Sequence, residues 1–151
     1  MIDSFQDEYR FLSNFYLVKV GMDGEIYPSV ENAYQAAKSF KTNRSPAFLS
    51  CTPGQAKRLG KHVPIDGHWE KVKLRVMLSL LWSKFSDPEL KEKLLSTGNK
   101  KLVEGNNWGD TFWGVCEGKG SNHLGNLLMQ VRRELARNEL YRNTNVTVKP
   151  D

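Results

Sequence analysis

The chain has 151 residues, 39% hydrophobic and 11% aromatic, with a formal net charge of +5. That length suits one domain around a single core, and the apolar share excludes an intrinsically disordered chain. No apolar run approaches the roughly 20 residues of a membrane-spanning helix, and the two cysteines, Cys51 and Cys116, lack metal spacing and fit a reducing compartment.

The first residues, Met1 to Glu8, are acidic and carry no signal-peptide apolar core, so a cytoplasmic location is expected, with no membrane partner. A pI near 9.2 favours anionic partners such as nucleotides, phosphates or nucleic acid. The positive charge is dispersed over Lys57/Arg58/Lys61, Lys71/Lys73/Arg75 and Arg132/Arg133/Arg137. No dense basic run marks a nucleic-acid arm.

Residues 9–20 open as an aromatic loop and end in strand-like alternation. Met22-Asp23-Gly24 reads as a turn and Glu25-Ile26-Tyr27 as the returning strand of a hairpin. Phe11, Phe15 and Tyr16 suit packing. Ser13 and Asn14 between them are loop-bound and free to meet a ligand, and Arg10 is a candidate phosphate partner. Pro28 then ends the extended segment, and Ser29 is placed to cap a helix by accepting a first-turn N–H. In that helix Glu31, Tyr34, Gln35 and Lys38 stand at i, i+3, i+4 and i+7 and share one face. The face mixes an acid, a phenol, an amide and an amine. It is either a solvated stripe with an aromatic anchor or the wall of a polar pocket.

Thr52-Pro53-Gly54-Gln55 has the form of a capping box, opening a short helix that stops at Gly60. Lys57, Arg58 and Lys61 on it read as solvated, with phosphate contact as the lesser alternative. A long helix is expected from Asp66-Gly67-His68-Trp69 to about Phe85, with Trp69, Val72, Val76, Leu80, Met77 and Leu81 as its buried stripe. Asp87-Pro88 starts the next helix, anchored by Leu90, Leu94 and Leu95 and ended by Thr97-Gly98-Asn99. Lys101 to Glu104 reads as a short strand and Gly105-Asn106-Asn107 as a turn.

The span Trp108 to Gly125 holds two tryptophans, five glycines and the isolated Asp110. Glycine at that density lets backbone approach a ligand or adopt positive φ. The span leads into a helix from Leu124 to about Glu139, with Asn122 as a candidate N-cap. A glycine-rich loop opening a helix is a ready anion site, although neither a Walker loop nor a dinucleotide fingerprint is present. From Leu140 the chain reads as a polar tail.

There is no Ser-His-Asp order, no H-E-x-x-H and no C-x-x-C, and His62, His68 and His123 have no metal spacing. No metal or cofactor is expected. Glu31, Glu104 and Asp110 remain as carboxylates able to move protons or stabilise an oxocarbenium-like centre. Lys38 differs in kind: an amine in a dry site can form a Schiff base with the C1 aldehyde of an opened ribose.

Several separated motifs occur in a telling order: Phe11-Leu12-Ser13-Asn14-Phe15, then Tyr27-Pro28-Ser29-Val30-Glu31-Asn32-Ala33-Tyr34-Gln35-Ala36-Ala37-Lys38. Thr97-Gly98 with Leu102-Val103-Glu104 follows, and then Asp110-Thr111-Phe112-Trp113-Gly114 running to Gly120-Ser121-Asn122-His123-Leu124-Gly125. Together they resemble the NADAR family, also called YbiA-like, from about Arg10 to Leu135. The resemblance implies N-glycosidic cleavage at ribose, on riboflavin-pathway intermediates or on ADP-ribosylated guanine of nucleic acid, in the latter through a lysine Schiff base. It implies Glu31, Lys38, Glu104 and Asp110 as catalytic candidates and Trp69 and Trp113 as pocket walls. Ser13, Asn14, Gly114, Gly120 and Asn122 are implied as ligand contacts, joined by Arg10 and Tyr34 from the reading of the residues. After Trp113-Gly114 this chain has Val115-Cys116, where members often carry an acidic residue or glycine, which bears on substrate subtype.

The expectation is therefore an α+β, predominantly α-helical single domain over 1–151, with its core over about 9–139 and a polar tail over 140–151. About five helices surround one core. A small sheet is expected from the N-terminal hairpin and the segments near Val103 and Trp113. The expected activity is removal of ADP-ribose from guanine bases. A riboflavin-intermediate N-glycosidase and a non-catalytic NAD- or ADP-ribose-binding module are the alternatives.

Overall fold

The computed structural model of the chain describes residues 1–148, with side chains to 143. Strand β1 (Val20–Met22) pairs antiparallel with β2 (Glu25–Tyr27), Val20 opposite Tyr27. Asp23 and Gly24 make the turn with φ of 52° and 82°, the two positive values that a tight right-twisted hairpin requires and an Asp-Gly pair accepts.

Helix α1 (Val30–Ala37) lies at the centre, and all of its residues are buried. The Ser29 hydroxyl accepts the Asn32 N–H at 3.1 Å, which satisfies a first-turn donor as its sequence position predicts. Asn32 reaches on to the carbonyls of Phe48 and Cys51, at 3.0 and 2.8 Å. Those bonds tie α1 to the short 3-10 turn Pro46–Leu49. Helix α1 packs on α2 (Pro53–Leu59), on α3 (Trp69–Lys84) and on the hairpin. Both bonds of the Thr52–Gln55 capping box are present. Asp87 caps α4 (Pro88–Ser96) through the N–H groups of Glu89 and Leu90. Helix α5 (His123–Val148) packs on α3 and α4, and Arg132 donates to the Thr97 hydroxyl at 2.8 Å, pinning the end of α4 to it.

The structure departs from the expectation in four places. The strands form two separate two-stranded sheets rather than one. Gly105–Asn106 (β3) pairs in parallel with Val115–Cys116 (β4), so the predicted turn at Gly105 is a strand, while Leu102 bridges to Ile2 near the chain start. Partner choice between such short segments is set by tertiary packing. Helix α5 does not stop at Glu139 but runs to Val148, because no glycine or proline interrupts residues 126–148. The remainder of the expected tail, 149–151, lies outside the described residues. Tyr9 to Leu12 belong to a 3-10 turn, Asp7–Leu12, rather than a loop. Finally, α3 buries Lys84 completely, whereas Val72 and Val76 of its predicted stripe are only partly buried.

Among the described residues no helix is long and apolar enough to cross a membrane, and no group of histidine, cysteine or carboxylate side chains is arranged to hold a metal ion.

Candidate active site

The α1 face resolves the choice posed by its sequence. Glu31, Tyr34, Gln35 and Lys38 all line one cavity of about 470 Å³. It is a pocket wall, and its residues project together because they repeat at the helical period. Glu31 is only 8% exposed. Its carboxylate accepts the Gln35 amide at 2.8 Å. Burial holds its pKa above the ordinary carboxylate value, opposed by the Gln35 hydrogen bond and the charges of Lys57 and Lys38. Lys38 stands at the helix end with its Nζ 5.9 Å from the Tyr34 ring centre. Burial lowers its pKa, against the pull of Glu31. The Tyr34 phenol is held up by burial as well.

The loop before the hairpin supplies a second part of the wall: Arg10, Ser13 and Asn14. Its position is fixed from two sides. Asn14 carbonyl accepts the Glu31 N–H at 3.0 Å, and the buried Lys84 Nζ donates to the Ser13 carbonyl at 2.8 Å. Burial takes the Lys84 pKa down to about 7. The Asn14 Oδ1 is buried without a partner, so an unused acceptor belongs to a cavity-lining side chain.

The third part is Glu104, Trp108, Asp110 and Trp113. Asn106 organises it, donating to the Glu104 carboxylate at 3.2 Å and to the Asp110 carbonyl at 2.9 Å while accepting the Asp110 N–H at 3.0 Å. Burial raises the Glu104 pKa, with the Asn106 bond opposing. One Asp110 carboxylate oxygen accepts the N–H groups of Phe112 and Trp113, at 3.1 and 2.9 Å, so half of this carboxylate shapes its own turn. Trp113 meets Tyr34 edge to face, with centres 5.5 Å apart.

Four residues expected at the ligand stand behind the wall instead. Trp69 is buried against Tyr34, centres 5.2 Å apart, and braces it. Gly114 is where backbone meets backbone: a Cβ there would lie 2.1 Å from the Glu104 carbonyl oxygen. Gly120 in turn packs on Gly114, with a Cβ position 2.1 Å from the Gly114 carbonyl oxygen. The Asn122 side chain accepts the Glu104 N–H at 3.0 Å and donates to the Leu102 carbonyl at 3.0 Å. It fixes the Glu104 backbone rather than touching the cavity. The start of α5 is not a free anion site either. The N–H groups of Ser121, Asn122, His123 and Leu124 go to the carbonyls of Thr111, Gly114, Phe112 and Trp113, which leaves those donors no vacancy for phosphate.

The structure also brings in residues that sequence reasoning passed over. Lys57, read as solvated, reaches the cavity from α2, and Trp108 stands beside it, its ring centre 5.7 Å from the Lys57 Nζ. Gln35, noted only as part of a mixed face, is the partner of Glu31, and Gly60 makes room for it: a Cβ at Gly60 would fall 1.9 Å from Gln35 Oε1. The glycine that ends α2 was the available signal, since its close packing is why no larger residue fits.

The fold and cavity define a helical α+β protein whose half-enclosed pocket sets buried acids beside a desolvated amine. A model of the NADAR domain matches residues 2–136, and the chain belongs to the NADAR family. It is 38% identical over 138 residues to N-glycosidase YbiA of Escherichia coli K12, covering 88% of this chain and 86% of that protein. It is 35% identical over 136 residues to an N-glycosidase of Nostoc punctiforme, covering 84% and 86%. A riboflavin biosynthesis protein of Vibrio vulnificus is 34% identical over 140 residues, but this chain spans 38% of it. The NMR structure of E. coli YbiA superposes with a TM-score of 0.81 at 36% identity, over 93% of this chain and 89% of that one. The helical α+β fold expected from the sequence is thereby borne out.

Proposed function

We propose that the protein is an N-glycosidase that cleaves the bond between C1 of a phosphorylated ribose and a base, with ADP-ribosylated guanine in nucleotides or nucleic acid as its favoured substrate. The observation that carries this reading is the pairing of Glu31 and Lys38 in one cavity with pKa values displaced toward each other. At ordinary values of about 4.3 and 10.4 the carboxyl is ionised long before the amine is neutral. Raising one and lowering the other enlarges the fraction of molecules holding a protonated acid and a free amine together, which acid-assisted attack by an amine requires.

In this reading Glu31 gives its proton to the ribose ring oxygen as the C1–O4′ bond breaks, leaving C1 as an iminium on the base nitrogen. The Lys38 amine adds to C1. The base nitrogen takes the proton lost by Lys38 and departs as C1 and Nζ form a Schiff base. Water then adds to C1, Nζ leaves, and the freed aldehyde recloses to ribose as Glu31 recovers its proton. The net change is substrate plus water giving free base and ADP-ribose. Glu104, also raised by burial, is the second proton carrier available. Arg10 and Lys57 are the cationic side chains on the wall suited to phosphate. The family resemblance supports guanine as the leaving base, and the names of the Nostoc and E. coli relatives support glycosidase chemistry. A second reading, cleavage of ribosylamino-pyrimidine phosphates, is favoured by the riboflavin-biosynthesis name of the Vibrio relative.

The test is incubation with ADP-ribosylated guanosine and, in parallel, a ribosylamino-pyrimidine phosphate. Wild type releases ADP-ribose from the first, and Lys38→Ala slows release by about 10³-fold or more. Borohydride traps a covalent adduct on wild type and not on Lys38→Ala. Tight binding of either compound by wild type without release identifies a binding module and sinks the enzyme reading. Equal trapping on Lys38→Ala sinks the lysine role alone.

A further inference from the structure

Trp108 lines the cavity, yet 55% of it is exposed. A side chain that does both stands at the rim. Leaving an indole in water forgoes a large hydrophobic gain, and nothing in the packing of the core calls for it there. The loop beneath is closed on itself by Asn106, whose Oδ1 accepts the N–H groups of Trp108 and Asp110 at 3.3 and 3.0 Å. Gly109 follows with φ of 86°, a value that glycine adopts without strain. The indole is thus carried on a braced loop, and the Lys57 ammonium lies 5.7 Å from its ring centre. Lys57 shares the same wall. A pre-placed aromatic plane with a cation over one face leaves its other face for a planar heterocycle: stacking tolerates any base because every base has a π face.

We propose that Trp108, assisted by Lys57, is the shelf on which the heterocycle of the leaving group stacks. The proposal rests on the N-glycosidase reading. Glu31 is buried and Lys38 half-buried whereas Trp108 is exposed, so a base still carried on a polymer reaches those two side chains from the exposed part of the wall, where Trp108 stands.

The experiment measures binding, so it does not depend on turnover. Guanosine and a diaminopyrimidinone are titrated separately into wild type, Trp108→Phe, Trp108→Ala and Lys57→Met, followed by ligand-observed NMR, with ribose 5-phosphate as the control ligand. Trp108→Ala weakens the preferred heterocycle about tenfold or more. Trp108→Phe retains most of the affinity, and Lys57→Met loses about threefold. Ribose 5-phosphate affinity in Trp108→Ala stays within about twofold of wild type, since it has no ring to stack. A loss for both heterocycles marks a base-tolerant shelf, and a loss for one alone names the leaving-group class. Unchanged affinity for both in Trp108→Ala, no heterocycle binding by wild type, or an equal loss of ribose 5-phosphate affinity overturns the shelf. Failure of wild type to release ADP-ribose from any substrate is a separate result and counts against the glycosidase reading.

Discussion

Helix α1 and the stretch from Leu102 to Gly125 face the same cavity but were built by different physics. In α1 the wall is local. Four side chains at one helical period, one cap at Ser29 and one hydrogen bond from Gln35 to Glu31 suffice to present an acid and an amine. In the second stretch almost nothing is local. Glu104 and Asp110 are placed by Asn106, by Asn122 from the start of α5, and by backbone contacts at Gly114 and Gly120. The teaching is about where chemistry can be altered. In α1 a polar side chain can be exchanged with the backbone untouched. In the second stretch the residues that look ligand-facing in the sequence are the scaffold, and changing them moves the backbone.

The sharpest way to break this contrast is Glu31→Gln. If α1 is a wall whose side chains act individually, the variant loses about 10²–10⁴-fold in ADP-ribose release while its fold is kept. It also becomes more stable at pH 7 by about 1 kcal/mol, the trade expected where an ionisable group is buried for function. The sign follows from the direction of the shift. The Glu31 pKa is raised on folding, so the folded state holds its proton longer than the unfolded one, which releases it near pH 4.3. The cost of the buried carboxylate is absent below that pH, grows as pH rises toward the folded value, and is complete above it. Chemical denaturation of both proteins should therefore show the stability gain at pH 7 shrinking toward zero near pH 4. A variant less stable than wild type at pH 7 would mean that α1 too depends on its carboxylate for structure.

The second stretch predicts the converse. Gly114→Ala adds one methyl group behind the cavity wall, and its Cβ meets the Glu104 carbonyl oxygen at 2.1 Å and the Glu104 carboxylate at 2.3 Å. Two backbones have to separate. The expected loss is roughly 1–3 kcal/mol of stability, read as a lower denaturant midpoint, accompanied by a fall in activity because Glu104 moves. Preserved stability and activity together would show that this stretch gives way more easily than its packing indicates.

The same division explains what could be read in advance. The hairpin turn at Asp23-Gly24, the caps at Ser29, Thr52 and Asp87, and the mixed face of α1 were legible because each is set within one or two turns of chain. So were Glu31, Lys38, Glu104 and Asp110 as a group, through the family pattern that joins distant segments. The roles of Asn122, Gly114 and Gly120 were not. A polar residue next to glycines reads as a ligand contact, and only the fold reveals that Asn122 is spent on Leu102 and Glu104. Lys57 and Trp108 were missed for the opposite reason: a lysine on a short helix and a tryptophan in a loop carry no period that points them at each other.

Lys84 tests whether the local wall is as independent as it looks. It comes from the last turn of α3, with rings of Tyr16 and Phe85 near its amine, at 5.8 and 5.2 Å. Through the Ser13 carbonyl it holds the loop whose next residue, Asn14, receives the Glu31 N–H. Its hydrogen-bond partner is a neutral carbonyl, and burial lowers its pKa to about 7. An unfolded lysine titrates near 10.4. Between those values the unfolded chain binds the proton and the folded one does not, so stability rises with pH across that window. The slope reaches at most about 1.4 kcal/mol per pH unit. Below pH 7 both states are protonated and the full cost of the buried ammonium is present. Lys84→Met removes the titrating group. The difference in unfolding free energy between wild type and variant, measured at pH 7, 8 and 9, should therefore change steadily in favour of wild type. A constant difference would mean that the amine keeps its proton in the fold, and that the Ser13 loop is held by a charge throughout the working pH range.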